Sequence, residues 1–107
     1  MERLRKPFQE LTLLKLSQDA AEAIALRCLA WLAGSDDLLK VFLGASGASL
    51  DDLRTRAQDP EFLASILDFV LMDDAWVIAF CAAEGLDNSV PMAARAALPG
   101  GAQVHWT

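Results

Sequence analysis

The chain contains one long apolar stretch, residues 59–84, and its pattern of polar positions predicts the centre of the fold. In the first half of this stretch, Glu61, Ser65 and Asp68 are the polar residues, and they are spaced by four and then three positions. This spacing places them on one narrow face of an α-helix that is otherwise covered by large apolar side chains. We therefore expect a helix that is buried over most of its surface.

The second half of the stretch predicts a further helical segment. Residues 75–83 have no polar side chain apart from the weak thiol of Cys81, so we expect a helix that is surrounded by protein on all sides. Asp59 and Pro60 suit the start of the first segment, because aspartate caps free backbone N–H groups and proline fits the first helical turn. We expect a break at Asp73–Asp74, since an unbroken helix of about 25 residues would be about 37 Å long. One bent helix and a hairpin of two helices both remain open.

Four shorter patterns with helical spacing flank this stretch. The first begins at Ser17 or Asp19, ends at Gly34 and has few charges, so we expect it to pack across the central element. The second follows a serine cap, and the third follows Ser49, whose hydroxyl is placed to form a capping box with Asp52. The predicted spans of the second, third and last helices are residues 36–44, 50–58 and 90–98, with Leu50 and Leu53 facing inward.

No segment alternates apolar and polar residues as a half-buried strand would, and the glycines and prolines fall between the helical patterns. The sequence therefore predicts an all-α fold, a compact bundle of about five to six short helices around a central apolar helical hairpin. We expect the helical domain over residues 17–98, between an N-terminal arm or short helix over residues 1–16 and a C-terminal tail over residues 99–107.

The two ends of the chain leave alternatives open. In the arm, Leu4, Phe8 and Leu11 recur at roughly helical spacing, but Pro7 lies among them. A short helix and an arm that docks through its apolar side chains both fit this pattern. In the tail, Trp106 is a large aromatic side chain, a kind that is seldom left in water. We expect Trp106 to pack back on the domain; a recognition peptide and a disordered tail are the alternatives.

Size and composition narrow the class of protein. A chain of 107 residues with 54% hydrophobic residues forms one domain with a core of its own. The window from Phe62 to Ala83 contains three aspartates, each of which costs about 2.5–3.5 kcal/mol near a bilayer centre. We therefore expect no membrane span, and we expect no signal peptide either. We predict a soluble, cytoplasmic protein in which Cys28 and Cys81 are buried thiols in a reducing compartment.

Acidic pairs are the most frequent candidates for chemistry. Pairs 36–37, 51–52 and 73–74 each fall at a predicted helix start, where negative charge is favoured by about 0.3–1 kcal/mol, and this accounts for them without a function. Carboxylates inside the most apolar segment need partners or have a raised pKa. The acids of a hypothetical pocket are therefore Asp68, Asp73 and Asp74, and the candidate partners of Asp68 are Arg54, Arg56 and Arg95.

Catalytic groups are otherwise scarce in this sequence. His105 is the single histidine and lies in the tail, and the chain has no tyrosine, so proton-transfer catalysis has few candidate groups. Neither cysteine belongs to a C-x-x-C motif. We therefore assign no catalytic residue, no metal ligand and no cofactor-binding residue, and we expect no cofactor.

Basic residues give a weak indication of nucleic-acid binding. Residues 36–58 can be interpreted as a helix–turn–helix, but the turn that would enter the groove carries Asp51 and Asp52. The chain has 15 acidic and 9 basic residues, and the net charge of −6 repels phosphate unless the bases cluster. The candidate basic residues are Arg3, Arg5, Lys6, Arg54 and Arg56.

Three segments, taken in order, carry a resemblance to a known family. They are DAAEAIALRCLAWLA, then LGASGASLDDLRTRA, then DPEFLASILDFVLMDDAWVIAFCAAEGL. Over about residues 19–98 the chain resembles a family of small alphaproteobacterial proteins, domain of unknown function 3572. The resemblance implies a compact helical domain in the cytoplasm. It implies no catalytic residue, because the family has no established activity.

The function that we favour from the sequence is a non-enzymatic module that binds another protein, or binds a second copy of itself as a homodimer. A chain this short can hardly enclose two helices that lack a broad polar face, so some apolar surface should remain for a partner. The alternative is a small-ligand-binding protein or an enzyme with an acidic pocket between helices. A nucleic-acid-binding adaptor is the third hypothesis.

Overall fold

The computed structural model describes residues 16–100 of the chain, and within that range it forms six α-helices and no strand. The prediction of an all-α bundle of short helices is therefore confirmed. The predicted arm up to residue 15 and the predicted tail from residue 101 onward lie outside the described residues. In chain order the helices are α1 (Gln18–Ala33), α2 (Asp36–Ser46), α3 (Leu50–Thr55), α4 (Pro60–Leu71), α5 (Asp74–Glu84) and α6 (Val90–Ala96).

Side chains that the sequence marks as helix caps start three of these helices. At the start of α1, Ser17 Oγ accepts a hydrogen bond of 3.1 Å from the backbone N–H three residues on. At the start of α3, Ser49 and Asp52 form the predicted capping box, with bonds of 2.9 and 3.1 Å. Asp59 caps α4 by accepting a bond of 3.0 Å from the backbone N–H two residues on. Each bond satisfies a backbone donor that the first helical turn leaves without an intrahelical partner.

The long apolar stretch is a hairpin of two helices. α4 ends at Leu71, and Asp73 caps α5 by accepting a hydrogen bond of 2.8 Å from the Ala75 backbone N–H. The break therefore lies at the predicted aspartates. α5 ends before Gly85, whose φ of 68° lies in the left-handed region that glycine adopts without strain.

α1 and α4 pack against each other at the centre of the molecule, and α2, α5 and α6 each pack against both of them. In α4, Leu63, Ile66 and Leu67 are buried, whereas Glu61 and Asp68 are exposed, as the polar spacing predicts. Each fully buried side chain of this size contributes about 1.5–3 kcal/mol of hydrophobic free energy. The predicted packing of the first helix across the hairpin is confirmed, and its buried residues are Ala21, Ala25, Cys28 and Leu32.

A row of aromatic rings joins α2, α4 and α5. Phe42 of α2 meets Phe62 and Phe69 of α4 edge to face, with ring centroids 6.2 and 5.3 Å apart. Phe69 in turn stacks on Trp76 at 4.7 Å, which holds the start of α5 against the end of α4. Such ring pairs contribute about 0.5–1.5 kcal/mol beyond the burial of their area. The row therefore helps to fix where α2 and α5 lie on α4.

The prediction that the second half of the hairpin is surrounded on all sides is wrong. α5 buries Val77, Phe80 and Cys81, but Ile78 is 54% exposed. The other exposed side chains of α5 include four of its alanines. This helix is tolerated at the edge of the bundle because its outer side consists mainly of alanines, which expose little apolar area, while Val77, Phe80 and Cys81 pack inward.

Three helix ends and one side chain also differ from prediction. α6 ends at Ala96, two residues early. α2 continues through Gly44 and ends before Gly47, whose φ is 76°. α3 ends at Thr55, three residues early, and the chain then turns, with the Asp59 N–H donating to the Arg56 carbonyl oxygen at 2.9 Å. Leu50, predicted to face inward, is 62% exposed. α3 is a short helix of six residues, and Leu53 packs against the core in its place.

Candidate functional site

The three acidic pairs lie at helix starts, as predicted. Residues 36–37 are in the first turn of α2, residues 51–52 are in the first turn of α3, and residues 73–74 are the cap and first residue of α5. The backbone N–H of Ser49 donates to the Asp52 carboxylate and holds the pKa of Asp52 below its ordinary value. Negative charge at these positions also opposes the positive end of each helix. Helix geometry accounts for all three pairs.

Asp68 lies in the middle of α4 and pairs with one of its three candidate partners, Arg95 of α6. Arg95 donates from Nε to Asp68 Oδ1, and from Nη1 to the Pro99 carbonyl oxygen at 3.0 Å. The Arg95 side chain is 13% exposed and the Asp68 side chain 52% exposed. The pair therefore ties the end of α6 and the turn after it to α4.

A groove of about 440 Å³ lies beside this ion pair, between α4 and the turn that follows α6. We call it the α4/α6 groove, and both charged and apolar groups line it. Its lining includes Gly100, so the described part of the chain ends at the edge of this groove. The lining residues that matter below are Glu61, Ser65, Asp68, Arg95, Pro99 and Gly100.

A second groove, of about 190 Å³, lies between α2 and α4. We call it the α2/α4 groove; its lining is almost entirely apolar. Ser65 and Asp68 line both grooves, so the two meet at this point on α4, and neither groove is lined by Asp73 or Asp74. The structure thus does not bring the three acids of the hypothetical pocket together. The lining residues that matter below are Phe42, Ala45, Ser65, Asp68, Phe69 and Met72.

Both cysteines are free and buried. Burial, with Cys81 and Glu84 nearby, raises the pKa of Cys28 to about 12. Burial and the charge of Asp87 raise the pKa of Cys81, whose Sγ donates to the Asp87 carbonyl oxygen at 3.4 Å. A thiol with a raised pKa forms little thiolate, which is the nucleophilic species. The two residues therefore act in packing.

The sequence predicted that some apolar surface would remain exposed, and the structure places such a surface on α5. We define the outer face of α5 as Ala75, Ile78, Ala79 and Ala82, which are all exposed and follow the spacing of one helix face. A signal for this face was present in the sequence: Val77, Phe80 and Cys81 fall on one side of the helix, and the four alanines and Ile78 fall on the other. Hydrophobicity alone did not separate the two sides, because both are apolar.

Two of the candidate basic residues lie within the described part of the chain: Arg54 in the last turn of α3, and Arg56 directly after it. The Arg56 guanidinium carbon lies 4.7 Å from the centroid of the Phe62 ring, and Arg56 Nη2 lies 3.6 Å from Asp59 Oδ2. Arg56 therefore contacts the start of α4. Over the full chain the 15 acidic residues still outnumber the 9 basic ones. The remaining basic candidates, Arg3, Arg5 and Lys6, lie outside the described residues, as do His105 and Trp106.

Metal binding and membrane crossing have no support within residues 16–100. No three histidine, cysteine, aspartate or glutamate side chains in this range are grouped so that they could hold a metal ion. Every helix in the same range is too short or too polar to cross a bilayer.

Comparison with known proteins gives one match. The model of a family described as "Protein of unknown function (DUF3572)" matches residues 18–101, a span that includes all six helices described above. The resemblance inferred from the sequence is therefore confirmed. No curated protein and no solved structure matches the chain significantly.

Proposed function

Because this chain belongs to the DUF3572 family of proteins of unknown function, we propose its role from its own surface: it binds another protein and is not an enzyme. The observation that carries this proposal is the outer face of α5. The face is apolar and exposed, although the helix beneath it is firmly packed through Val77 and Phe80. Contiguous exposed apolar surface on a soluble domain is typical of a protein interface.

The spacing on α5 is the spacing by which helices bind protein surfaces. Ala75, Ile78, Ala79 and Ala82 stand at positions i, i+3, i+4 and i+7, the pattern of anchors on a helix that lies against a partner. Burying such side chains against a partner contributes about 25 cal/mol for each Å² removed from water.

We take the partner to be a second copy of this chain. Small side chains allow two helices to approach closely, and a two-fold axis through the outer face sets Ile78 of each copy against alanines of the other. The outer face itself carries no charged side chain, so dimerisation through it buries no unpaired charge. A two-fold arrangement also satisfies the requirement that one patch be complementary to itself.

The charges at the two ends of α5 favour an antiparallel arrangement. Asp74 lies at the start of α5, and Arg27 of α1 pairs with Glu84 at its end, with Nε at 2.8 Å from Oε1. Antiparallel helices bring Asp74 of one copy towards the neutral Arg27–Glu84 pair of the other, whereas parallel helices bring the two Asp74 carboxylates together. Rim charges of this kind select an orientation more than they add affinity.

The size of the outer face predicts a weak dimer. A helix of 11 residues is about 16 Å long, so one face of it covers much less than the ~800 Å² per partner of a standard interface. We therefore expect a reversible dimer with a dissociation constant of about 10–100 μM, corresponding to about 5.5–7 kcal/mol. Such a dimer dissociates on dilution, and only measurements over a range of concentrations detect it.

Sedimentation velocity of the full chain over a range of about 5 μM to 1 mM tests the proposal. We expect the average mass to rise from monomer to dimer. Ile78→Glu places a charge at the centre of the outer face and should leave a monomer at all these concentrations. Val41→Glu is the matched control, because Val41 is 49% exposed, close to the exposure of Ile78, but belongs to α2. This control should dimerise like the parent chain.

Two outcomes would contradict the proposal. One is a parent chain that stays monomeric at the highest concentration. The other is loss of the dimer in Val41→Glu and Ile78→Glu alike, which would place the contact elsewhere or reflect net charge. Circular dichroism of each variant shows whether the helices are intact, so that a folding defect is recognised as such.

The two other functions have less support. For a ligand-binding or enzymatic site, Asp68 does line two grooves, but its carboxylate is paired with Arg95. Of the other candidate acids, Asp73 caps α5 and Asp74 is its first residue. For nucleic-acid binding, the chain's net charge of −6 opposes approach to a phosphate backbone. Absence of binding to duplex DNA and to single-stranded RNA at low salt would exclude the latter role.

A further inference from the structure

We propose that the segment from residue 101 to residue 107 folds back across α4 and that the Trp106 indole occupies the α2/α4 groove of the same molecule. This groove lies between α2 and α4 and includes none of the residues of the outer face of α5. The inference is therefore independent of the proposed function. It assigns an occupant to a preformed apolar site and a position to an aromatic residue of the tail.

The structure delivers the tail to the correct side of α4. Leu98 is buried at 4% exposure, and the Pro99 carbonyl oxygen accepts a hydrogen bond of 3.0 Å from Arg95 Nη1. The next residue, Gly100, has a φ of 85° and lines the α4/α6 groove. The chain is thus held in place up to the last described residue, and that residue lies at the edge of a groove that leads to the apolar one.

The tail is long enough to reach the α2/α4 groove. The two grooves meet at Ser65 and Asp68, and Met72, at the far end of the second groove, is one helical turn or about 6 Å beyond Asp68. Trp106 follows Gly100 by six residues, which span up to about 20 Å when extended. The path along α4 therefore requires no helix to move.

The groove has the chemistry that a tryptophan side chain requires. Phe42 and Phe69 form its wall with their rings edge to face, and a methionine that is 71% exposed, Met72, closes one end. Aromatic rings and thioether sulfur both make favourable contacts with an indole. The volume of about 190 Å³ is large enough to take a ring system of that size.

The rim of the groove also supplies an acceptor for the indole N–H. A buried indole N–H nearly always finds a hydrogen-bond partner. Asp68 lies on the rim; Arg95 Nε bonds its Oδ1, and its side chain is still 52% exposed. The Ser65 hydroxyl, which donates to the Phe62 carbonyl oxygen at 2.6 Å, lies on the same rim. The Trp106 N–H is therefore expected to donate to one of these two oxygens.

Fluorine NMR of the full chain labelled with 5-fluorotryptophan tests this placement. The chain has three tryptophans, so three resonances are expected, and Trp106→Phe identifies the one from the tail. A labelled peptide of residues 99–107 gives the position of a free tail. We expect the Trp106 resonance to differ from that of the peptide, and to stay unchanged on dilution because the contact is within one molecule.

Two substitutions in the groove and one matched control locate the contact. Met72→Ala removes one end of the groove, and Ala45→Glu places a charge in its wall; both should move the Trp106 resonance towards the position of the free peptide. Met92→Ala is the control, since Met92 is 64% exposed but belongs to α6 and does not line the groove. It should leave the resonance in place.

Three results would overturn the inference. The first is a Trp106 resonance that coincides with that of the peptide. The second is a displaced resonance that neither groove substitution moves, which would mean that the tail docks elsewhere. The third is a resonance that returns to the peptide position on dilution, which would mean that the tail occupies the groove of a second copy. Ala45→Glu keeps the test decisive if Met72→Ala leaves enough of the groove to hold the indole.

Discussion

Short acidic side chains set the backbone at several loops of this molecule. Asp52 accepts a hydrogen bond of 2.9 Å from the Ser49 backbone N–H, and Asp87 accepts one of 2.9 Å from the Ser89 backbone N–H and one of 2.7 Å from the Ser89 hydroxyl. These bonds favour the ionised carboxylate and hold the pKa of each aspartate below its ordinary value. The same contacts that shape the loops therefore make stability depend on pH.

The first prediction concerns acid. A folded-state pKa that is lowered contributes stability above the unfolded-state pKa, and the contribution is lost as the pH falls through the folded-state value. We expect Asp52→Asn to be less stable than the parent chain near pH 7. We also expect its free energy of unfolding to decrease less steeply than that of the parent chain as the pH falls. Urea denaturation at several pH values measures both. Asp51→Asn is the control, because Asp51 lies in the same helical turn but outside the capping box. If Asp51→Asn changes the pH dependence of the free energy of unfolding as much as Asp52→Asn does, the assignment to the capping box is contradicted.

The second prediction concerns alkali. Burial raises the pKa of Cys28 to about 12, so above the unfolded-state pKa the unfolded chain releases a proton that the folded chain keeps. Stability should be intact below about pH 8.5–9 and should fall above it, by up to about 1.4 kcal/mol per pH unit. Cys28→Ala should flatten this decline, whatever its effect on stability at neutral pH. Urea denaturation under reducing conditions at pH 7.5 and pH 10 gives the comparison; an unchanged decline would contradict it.

At the scale of the element, helix boundaries follow from local signals, and α2 shows two of them. Gly44 lies inside this helix, and a Cβ built on it meets no atom within 4 Å. Gly47 ends the helix with a φ of 76°, and its N–H donates to the Leu43 carbonyl oxygen at 3.0 Å. The two glycines are three residues apart and have opposite conformational requirements, because only Gly47 needs the left-handed region.

The third prediction uses this pair. Gly44→Ala should stabilise the protein by about 0.5–1 kcal/mol, since alanine restricts the unfolded chain and fits the helix interior. Gly47→Ala should destabilise it by about 1 kcal/mol, because a residue with Cβ is strained at this φ. Thermal and urea denaturation of the two variants give the signs. Equal signs for both substitutions would contradict the assigned helix end.

At the scale of the whole molecule, the two halves of the apolar hairpin have different roles. α4 is packed by α1, α2, α5 and α6, and Ile66 is fully buried. α5 lies at the edge of the bundle, and Ile78 is 54% exposed. Two isoleucines from one apolar stretch thus lie in opposite environments. The Asp68–Arg95 pair then joins α4 to α6 across 27 residues of sequence, and this contact positions the turn from which the tail departs.

The fourth prediction compares these isoleucines. Ile66→Val removes a buried methyl group and should lower the free energy of unfolding by about 0.5–1.5 kcal/mol. Ile78→Val removes a methyl group from the surface and should change it by less than about 0.5 kcal/mol at concentrations where the chain is monomeric. Urea denaturation at about 2 μM supplies both values. A larger loss for Ile78→Val than for Ile66→Val would mean that α5 is covered within the monomer.

The sequence by itself determined where the helices lie and how several of them begin. Ser17, the Ser49–Asp52 box, Asp59 and Asp73 act on backbone groups two or three residues away, so their effect does not depend on the rest of the fold. The polar face of α4 was also predictable, because its spacing distinguishes an outer side from an inner one. The acidic pairs were identified as helix-start residues for the same local reason.

Only the tertiary structure decided which side of α5 faces outward, which arginine pairs with Asp68, and where the two grooves meet. These features depend on contacts between residues far apart in the chain, and the sequence pattern carries no information on them when every position of a segment is apolar. In α5 the outcome follows from packing: α1 and α4 cover the side with the large side chains, and within residues 16–100 no further helix covers the alanines.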